Sequence, residues 1–212
     1  GQTHLAEPLH ETEWAKQLKP GLSCYGEAYD MYDLLGSRQP AVMAHVVHPN
    51  EAEYELIKHR NVLVAHCPQS NTNAANGVAP ILQMVHDGIR VGLGTDMAGG
   101  YNLNLLRTMT DAIQSSKLRW CFTERNGDPF AKKNFLTVAN AFYLATKGGG
   151  SFFGKVGSFE PDYEFDAVVL DDAALADFVE RPVQDRFQRI LWLYTADTVT
   201  AKFIQGTCVY QA

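Results

Sequence analysis

Three histidines and one aspartate in this sequence each follow a short apolar or β-branched run. They are His4 in Gln2-Thr3-His4-Leu5-Ala6-Glu7, His45 in Val42-Met43-Ala44-His45, His66 in Ala65-His66-Cys67-Pro68, and Asp96 in Gly92-Leu93-Gly94-Thr95-Asp96. Glu7 stands three residues after the first histidine. Neutral imidazoles and carboxylates are the ligands a zinc ion takes. A further carboxylate in reach of an activated water could carry protons between that water and a substrate nitrogen. Asp96 could bind a metal and also accept a proton. Each residue alone has a plainer explanation: a hydrogen-bonded structural histidine, a solvated surface glutamate, or an aspartate capping a helix. Five such groups at the ends of four successive strand candidates are hard to place by independent structural needs. His10, His48, His59 and His86 fall in loops or helices and read as surface residues.

Other chemistries lack their residues. No H-E-x-x-H, Walker A or G-x-S-x-G sequence occurs, and Gly92-x-Gly94 has the wrong spacing for a dinucleotide fingerprint. The P-C-x-x-C signature of cytidine-type deaminases is also absent. Cys24, Cys67, Cys121 and Cys208 are scattered, which reads as reduced thiols of a cytosolic protein and excludes a Cys₄ zinc site.

To bring these groups together, the chain must deliver them on one face. A strand, loop and helix recur: strands at 1–5, 41–47, 61–67 and 90–95, with helices at 11–18, 27–35, 51–59, 78–86 and 103–117. Gln69-Ser70-Asn71-Thr72-Asn73 is expected as a polar loop, and Gly99-Gly100 lies in the fourth loop. Such units predict parallel strands with helical crossovers. Val62-Leu63-Val64-Ala65 fits burial on both faces. Polar residues at the C-terminal strand ends match the catalytic face of a (β/α)₈ barrel, the TIM barrel. A closed barrel needs eight units, and four are present. The chain also opens directly on its first site strand, without an initiator Met, so a preceding segment is expected to be missing from it.

The pattern changes after about residue 118. Residues 120–133 read as a loop with a helix start, 136–146 as a helix ended by Gly148-Gly149-Gly150, 165–170 as a strand, and 181–194 as a helix. Residues 199–204 and 207–210 read as a hairpin around Gln205-Gly206. The expected division is a hydrolase-barrel portion over 1–150 and a small β domain with a helix over 151–212.

Composition narrows the partners. The 212 residues are 46% hydrophobic and 20% charged, an ordinary globular mixture. The net charge of -6 argues against a nucleic-acid backbone as partner. No apolar run approaches the ~20 residues of a membrane helix. A small neutral ligand is favoured.

These motifs resemble the amidohydrolase superfamily of metal-dependent barrel deaminases. The resemblance runs through the segments quoted above, Ser70-Asn71, Asp96-x-Ala98-Gly99-Gly100-Tyr101, Ala145-Thr146, and Val156-Gly157-Ser158-Phe159 with Phe165-Asp166-Ala167-Val168. The Asp96 loop is most similar to the branch that deaminates guanine. The resemblance implies the C-terminal half of a (β/α)₈ barrel with part of a small β-sandwich. It implies hydrolytic deamination of guanine to xanthine and ammonia by a zinc-activated hydroxide, in purine catabolism or salvage, by a cytoplasmic homodimer. His4 and Asp96 would bind zinc, with iron able to occupy such a site. Glu7 would shuttle protons, His45 would orient the substrate and the attacking hydroxide, and Asp96 would take the hydroxide proton. His66, Ser70 and Asn71 would line the purine pocket. One departure stands out: the superfamily's His-x-His ligand pair does not occur here. The chain by itself is therefore expected to bind zinc poorly. The alternatives are a relative acting on an adenine, cytosine or triazine ring, and an inactive barrel fragment.

Overall fold

A computed structural model describes residues 1–128, 131–195 and 198–212. Four strands, β1 (Gln2–Leu5), β2 (Val42–His45), β3 (Leu63–His66) and β4 (Arg90–Leu93), form one parallel sheet in the order β1-β2-β3-β4. Between them run α1 (Leu9–Leu18), α2 (Glu27–Asp30), α3 (Glu51–His59), α4 (Pro68–Asn73) and α5 (Ile81–His86). After β4 come α6 (Leu105–Arg119), a π-helical turn at Trp120–Glu124, α7 (Val138–Tyr143) and a second π-helical turn at Leu144–Gly148. A separate antiparallel sheet, β5-β6-β7, holds β5 (Ala167–Leu170), β6 (Val199–Ile204) and β7 (Thr207–Gln211), with α8 (Val183–Leu193) preceding β6. No helix among the described residues is long and apolar enough to cross a membrane.

The core follows from the apolar strands. Leu5, Met43, Val64 and Val91 are buried and pack in one cluster with Ile57, Met84, Met109, Ile113 and Leu144 from the helical segments and Leu136 from the loop before α7. β2, β3 and β4 are buried or half-buried along their whole length, as crossover helices on both faces require, whereas β1 is exposed at Gln2 and His4. The π-turn after α7 lies directly on β4: a Cβ built on Gly92 would stand 2.7 Å from the Gly149 Cα. Glycine is the residue that permits such a backbone approach.

Several boundaries differ from the sequence reading, each for a local reason. The predicted loop at 69–73 is the helix α4, with Pro68 in its first turn, where the missing N–H costs nothing. The predicted helix 27–35 stops at Asp30, and Asp33 and Gly36 then take positive φ (59° and 97°). The predicted helix 78–86 begins only at Ile81, behind Pro80. The predicted helix 103–117 is α6, starting after the Asn104 cap, whose side chain accepts from Leu106 N–H. The fourth strand ends at Leu93, so Asp96 stands three residues beyond it. Residues 129 and 130 of the predicted 120–133 segment lie outside the described residues.

Candidate active site

The parallel register sets the site. His4 pairs with Ala44, Leu5 with His45, and His66 with Leu93, so the three histidines finish adjacent strands at one end of the sheet. Beyond the strand ends, the backbone turns sharply. Ala6, His45, Val46, Asp96 and Ala98 all have positive φ, between 46° and 95°. Non-glycine residues seldom adopt this conformation, and such strain gathers at functional sites. The Asp96 loop closes on itself through Gly100 N–H to Asp96 O at 2.5 Å. Asp96 caps no helix; the next helix is capped by Asn104.

His4, Glu7 and His45 offer ligand atoms that all lie within 4.8 Å of one another. Glu7 Oε2 is 3.4 Å from His4 Nδ1 and 3.4 Å from His45 Nε2, and Asp96 Oδ2 is 3.9 Å from His45 Nε2. The His4 and His45 rings meet edge-on with centroids 4.6 Å apart. His45 is fully buried, and its Nδ1–H donates to Asn71 Oδ1 at 2.8 Å. That bond leaves a lone pair on Nε2, a buried atom with no hydrogen-bond partner. A lone pair on Nε2 facing carboxylate oxygens is unfavourable unless a cation or proton stands between them. Imidazole nitrogens with carboxylate oxygens suit zinc among divalent ions. The donors present thus fit a metal ion.

The remaining predicted residues surround this cluster. His66 is fully buried; its Nδ1 lacks a partner, and burial, reinforced by nearby His45, pushes its pKa down to about 3. It is a neutral ring. Ser70 and Asn71 are buried on α4. Gly99 sits between Ser70 and Asp96: a Cβ there would lie 2.6 Å from Ser70 Oγ and 2.7 Å from Asp96 Oδ2. Neighbouring Cys67 is not available as a thiolate, because burial, with the charges of Asp96 and Glu7, raises its pKa to about 12.

Three neighbouring contacts escape the sequence reading. Asn76 Nδ2 donates to Glu7 Oε1 at 2.8 Å, Asn73 Nδ2 donates to Gly99 O at 2.9 Å, and Gln69 Nε2 donates to Asp111 Oδ2 at 2.7 Å. Asn76-Gly77 is an evident turn signal, but nothing in the sequence tells that its amide reaches a group 69 positions earlier.

Comparison with known proteins adds the family. The model of the amidohydrolase family matches residues 2–191. Guanine deaminase of Dictyostelium discoideum is 32% identical over 212 residues, covering 97% of this chain and 45% of the relative. The crystal structure of guanine deaminase from C. acetobutylicum, with bound guanine in the active site, superposes with a TM-score of 0.89 at 38% identity, over 99% of this chain and 48% of that one. An adenosine deaminase from Xanthomonas campestris with bound zinc shares the fold at TM-score 0.76 and 24% identity. The chain spans about half the length of these relatives.

Proposed function

The chain belongs to the amidohydrolase family, and from that premise we propose that the full-length protein hydrolyses guanine to xanthine and ammonia. The observation that carries this reading is the convergence of His4 Nδ1, His45 Nε2 and Glu7 Oε2 without hydrogen bonds that would satisfy His45 Nε2. The guanine deaminases among the relatives, one of them with guanine bound, support the substrate.

His4 and Asp96 would hold the metal ion, zinc in this proposal, in keeping with the donor types and with the zinc-bound adenosine deaminase of the same fold. When bound, zinc supplies Lewis acidity that brings the ionisation of water toward neutral pH. Glu7 takes one proton from the attacking water to a ring nitrogen and then passes the second to the departing amino group. Asp96 accepts the remaining proton of the attacking water. His45, locked by Asn71, orients that water and the substrate. Water adds at the amine-bearing carbon, and the carbon–nitrogen bond breaks as ammonia leaves. His66, Ser70 and Asn71 line the purine pocket. The parallel sheet is read as half of a (β/α)₈ barrel spanning residues 1–150, and residues 151–212 as part of a small β-sandwich. The resemblance also points to a cytoplasmic homodimer in purine metabolism.

The test is guanine turnover, followed by ultraviolet absorbance, in the full-length zinc-loaded protein. The expected result is conversion to xanthine, with kcat reduced roughly 10²- to 10⁴-fold in Glu7→Gln. Bound zinc without guanine turnover would overturn the substrate and move it to another amino- or chloro-substituted ring.

A further inference from the structure

Glu7 follows the first strand in a left-handed turn at Ala6, and the side-chain hydrogen bond to its Oε1 comes from outside that strand. Its orientation is set from elsewhere. Asn76 Nδ2 donates to Oε1 at 2.8 Å, which turns Oε2 toward the two histidines at 3.4 Å each. A carboxylate that must reach two different atoms in one reaction cycle needs one oxygen held and the other free, because orientation errors near 1 Å are costly.

Asn76 is itself clamped on three sides. Its carbonyl accepts from His48 Nε2–H at 2.6 Å, and its N–H donates to Asn71 O at 2.9 Å. Ala75 and Gly77 on either side have positive φ, 56° and 115°. A Cβ on Gly77 would crowd Val47 Cγ1 at 3.3 Å and the His48 ring at 3.5 Å, so the turn is seated against the loop after β2. The loops after β1, β2 and β3 are thus joined in one chain of bonds, His48 to Asn76 to Glu7. Asn71 completes it: its carbonyl anchors Asn76, and its side chain anchors His45.

We propose that Asn76 is a positioning residue for deamination, holding Glu7 by Oε1 so that Oε2 stays free for proton transfer, with His48 fixing Asn76 in place. This rests on the reading of Glu7 as the proton shuttle.

The experiment is a double-mutant cycle in the full-length zinc-loaded enzyme, measuring guanine kcat and KM, zinc content and thermal midpoint for Asn76→Ala, Glu7→Gln and the pair. Asn76→Ala lowers kcat roughly 10- to 100-fold, with KM and zinc content unchanged. In the Glu7→Gln background the same change costs nothing further, since residues acting as a unit are not additive. Asn76→Leu keeps a similar size and removes the donor without adding a charge beside Glu7, and it shows the same loss if Asn76→Ala fails to fold. Wild-type kcat in either variant overturns the proposal, as does an equal loss of kcat in the Glu7→Gln background. Wild-type kcat in Glu7→Gln alone instead overturns the shuttle reading beneath it.

Discussion

Asn71 Oδ1 accepts the Nδ1–H of His45 at 2.8 Å, between two side chains that are both buried. This one bond decides which ring nitrogen faces Glu7 and Asp96. A hydrogen bond on Nδ1 leaves the Nε2 lone pair available, which is how such a partner tunes a neighbouring site.

Asn71→Ala therefore unlocks the His45 ring. In the full-length enzyme, kcat/KM is expected to fall about 10- to 100-fold, with a stability loss of about 1–3 kcal/mol from the unpaired buried nitrogen. The ¹⁵N shifts of the imidazole read the tautomer directly. An unchanged tautomer and wild-type kinetics in the variant would mean that the backbone alone holds His45.

Gly99 lies where the Asp96 loop meets α4. Gly99→Ala puts a methyl group 2.6 Å from Ser70 Oγ and 2.7 Å from Asp96 Oδ2, inside the contact distance of either. Asp96 is the freer of the two, because Ser70 is fixed in a buried helix. The expected outcome is lower zinc content and a kcat/KM reduced roughly 100-fold, read by metal analysis and steady-state kinetics. Full zinc occupancy with normal kinetics would show that Asp96 does not act from its position in this structure.

The sequence made the strands legible because burial on both faces leaves continuous apolar runs such as Val62-Leu63-Val64-Ala65, and His4, His45 and His66 each sit at the end of one. Asp96 was legible as a residue but not as geometry: its strand stops at Leu93, and two loop residues, Gly94 and Thr95, separate the carboxylate from it. The polar run 69–73 hid a helix, since Ser, Asn and Thr favour turns in isolation and only packing holds them in α4. Asn76 was illegible because its function depends on a contact between residues 69 positions apart.

His66 gives the fold an acid-side liability. Its pKa lies near 3 in the folded protein, against an ordinary 6.5, because burial disfavours the charged ring and His45 adds to it. The unfolded chain takes up a proton below pH 6.5 that the folded chain refuses. Stability is thus complete above that pH and falls by about 1.4 kcal/mol per unit as pH drops toward 3. Urea midpoints at pH 7, 5 and 4, on chelator-treated protein, are expected to show a shallower acid-side decline in His66→Gln. Parallel declines would mean that His66 is protonated in the folded state.

The contact between β4 and the π-turn separates two glycines that look equivalent in sequence. A Cβ on Gly92 would stand 2.7 Å from Gly149 Cα and 3.4 Å from Gly149 N, both backbone atoms that cannot swing aside. A Cβ on Gly149 meets Leu144 O at 3.2 Å and Gly92 Cα at 3.7 Å, a contact that a small shift relieves. Overpacking of this kind costs about 1–3 kcal/mol, so Gly92→Ala is expected at the upper end of that range and Gly149→Ala at or below the lower. Gly92 also lies four residues before Asp96 on the same segment, so displacement of β4 carries the carboxylate with it. Gly92→Ala should then lose activity along with stability, while Gly149→Ala keeps most of both. Chemical denaturation and guanine turnover on the two variants decide it. The reverse order would place the tight contact on the helical side rather than in the strand.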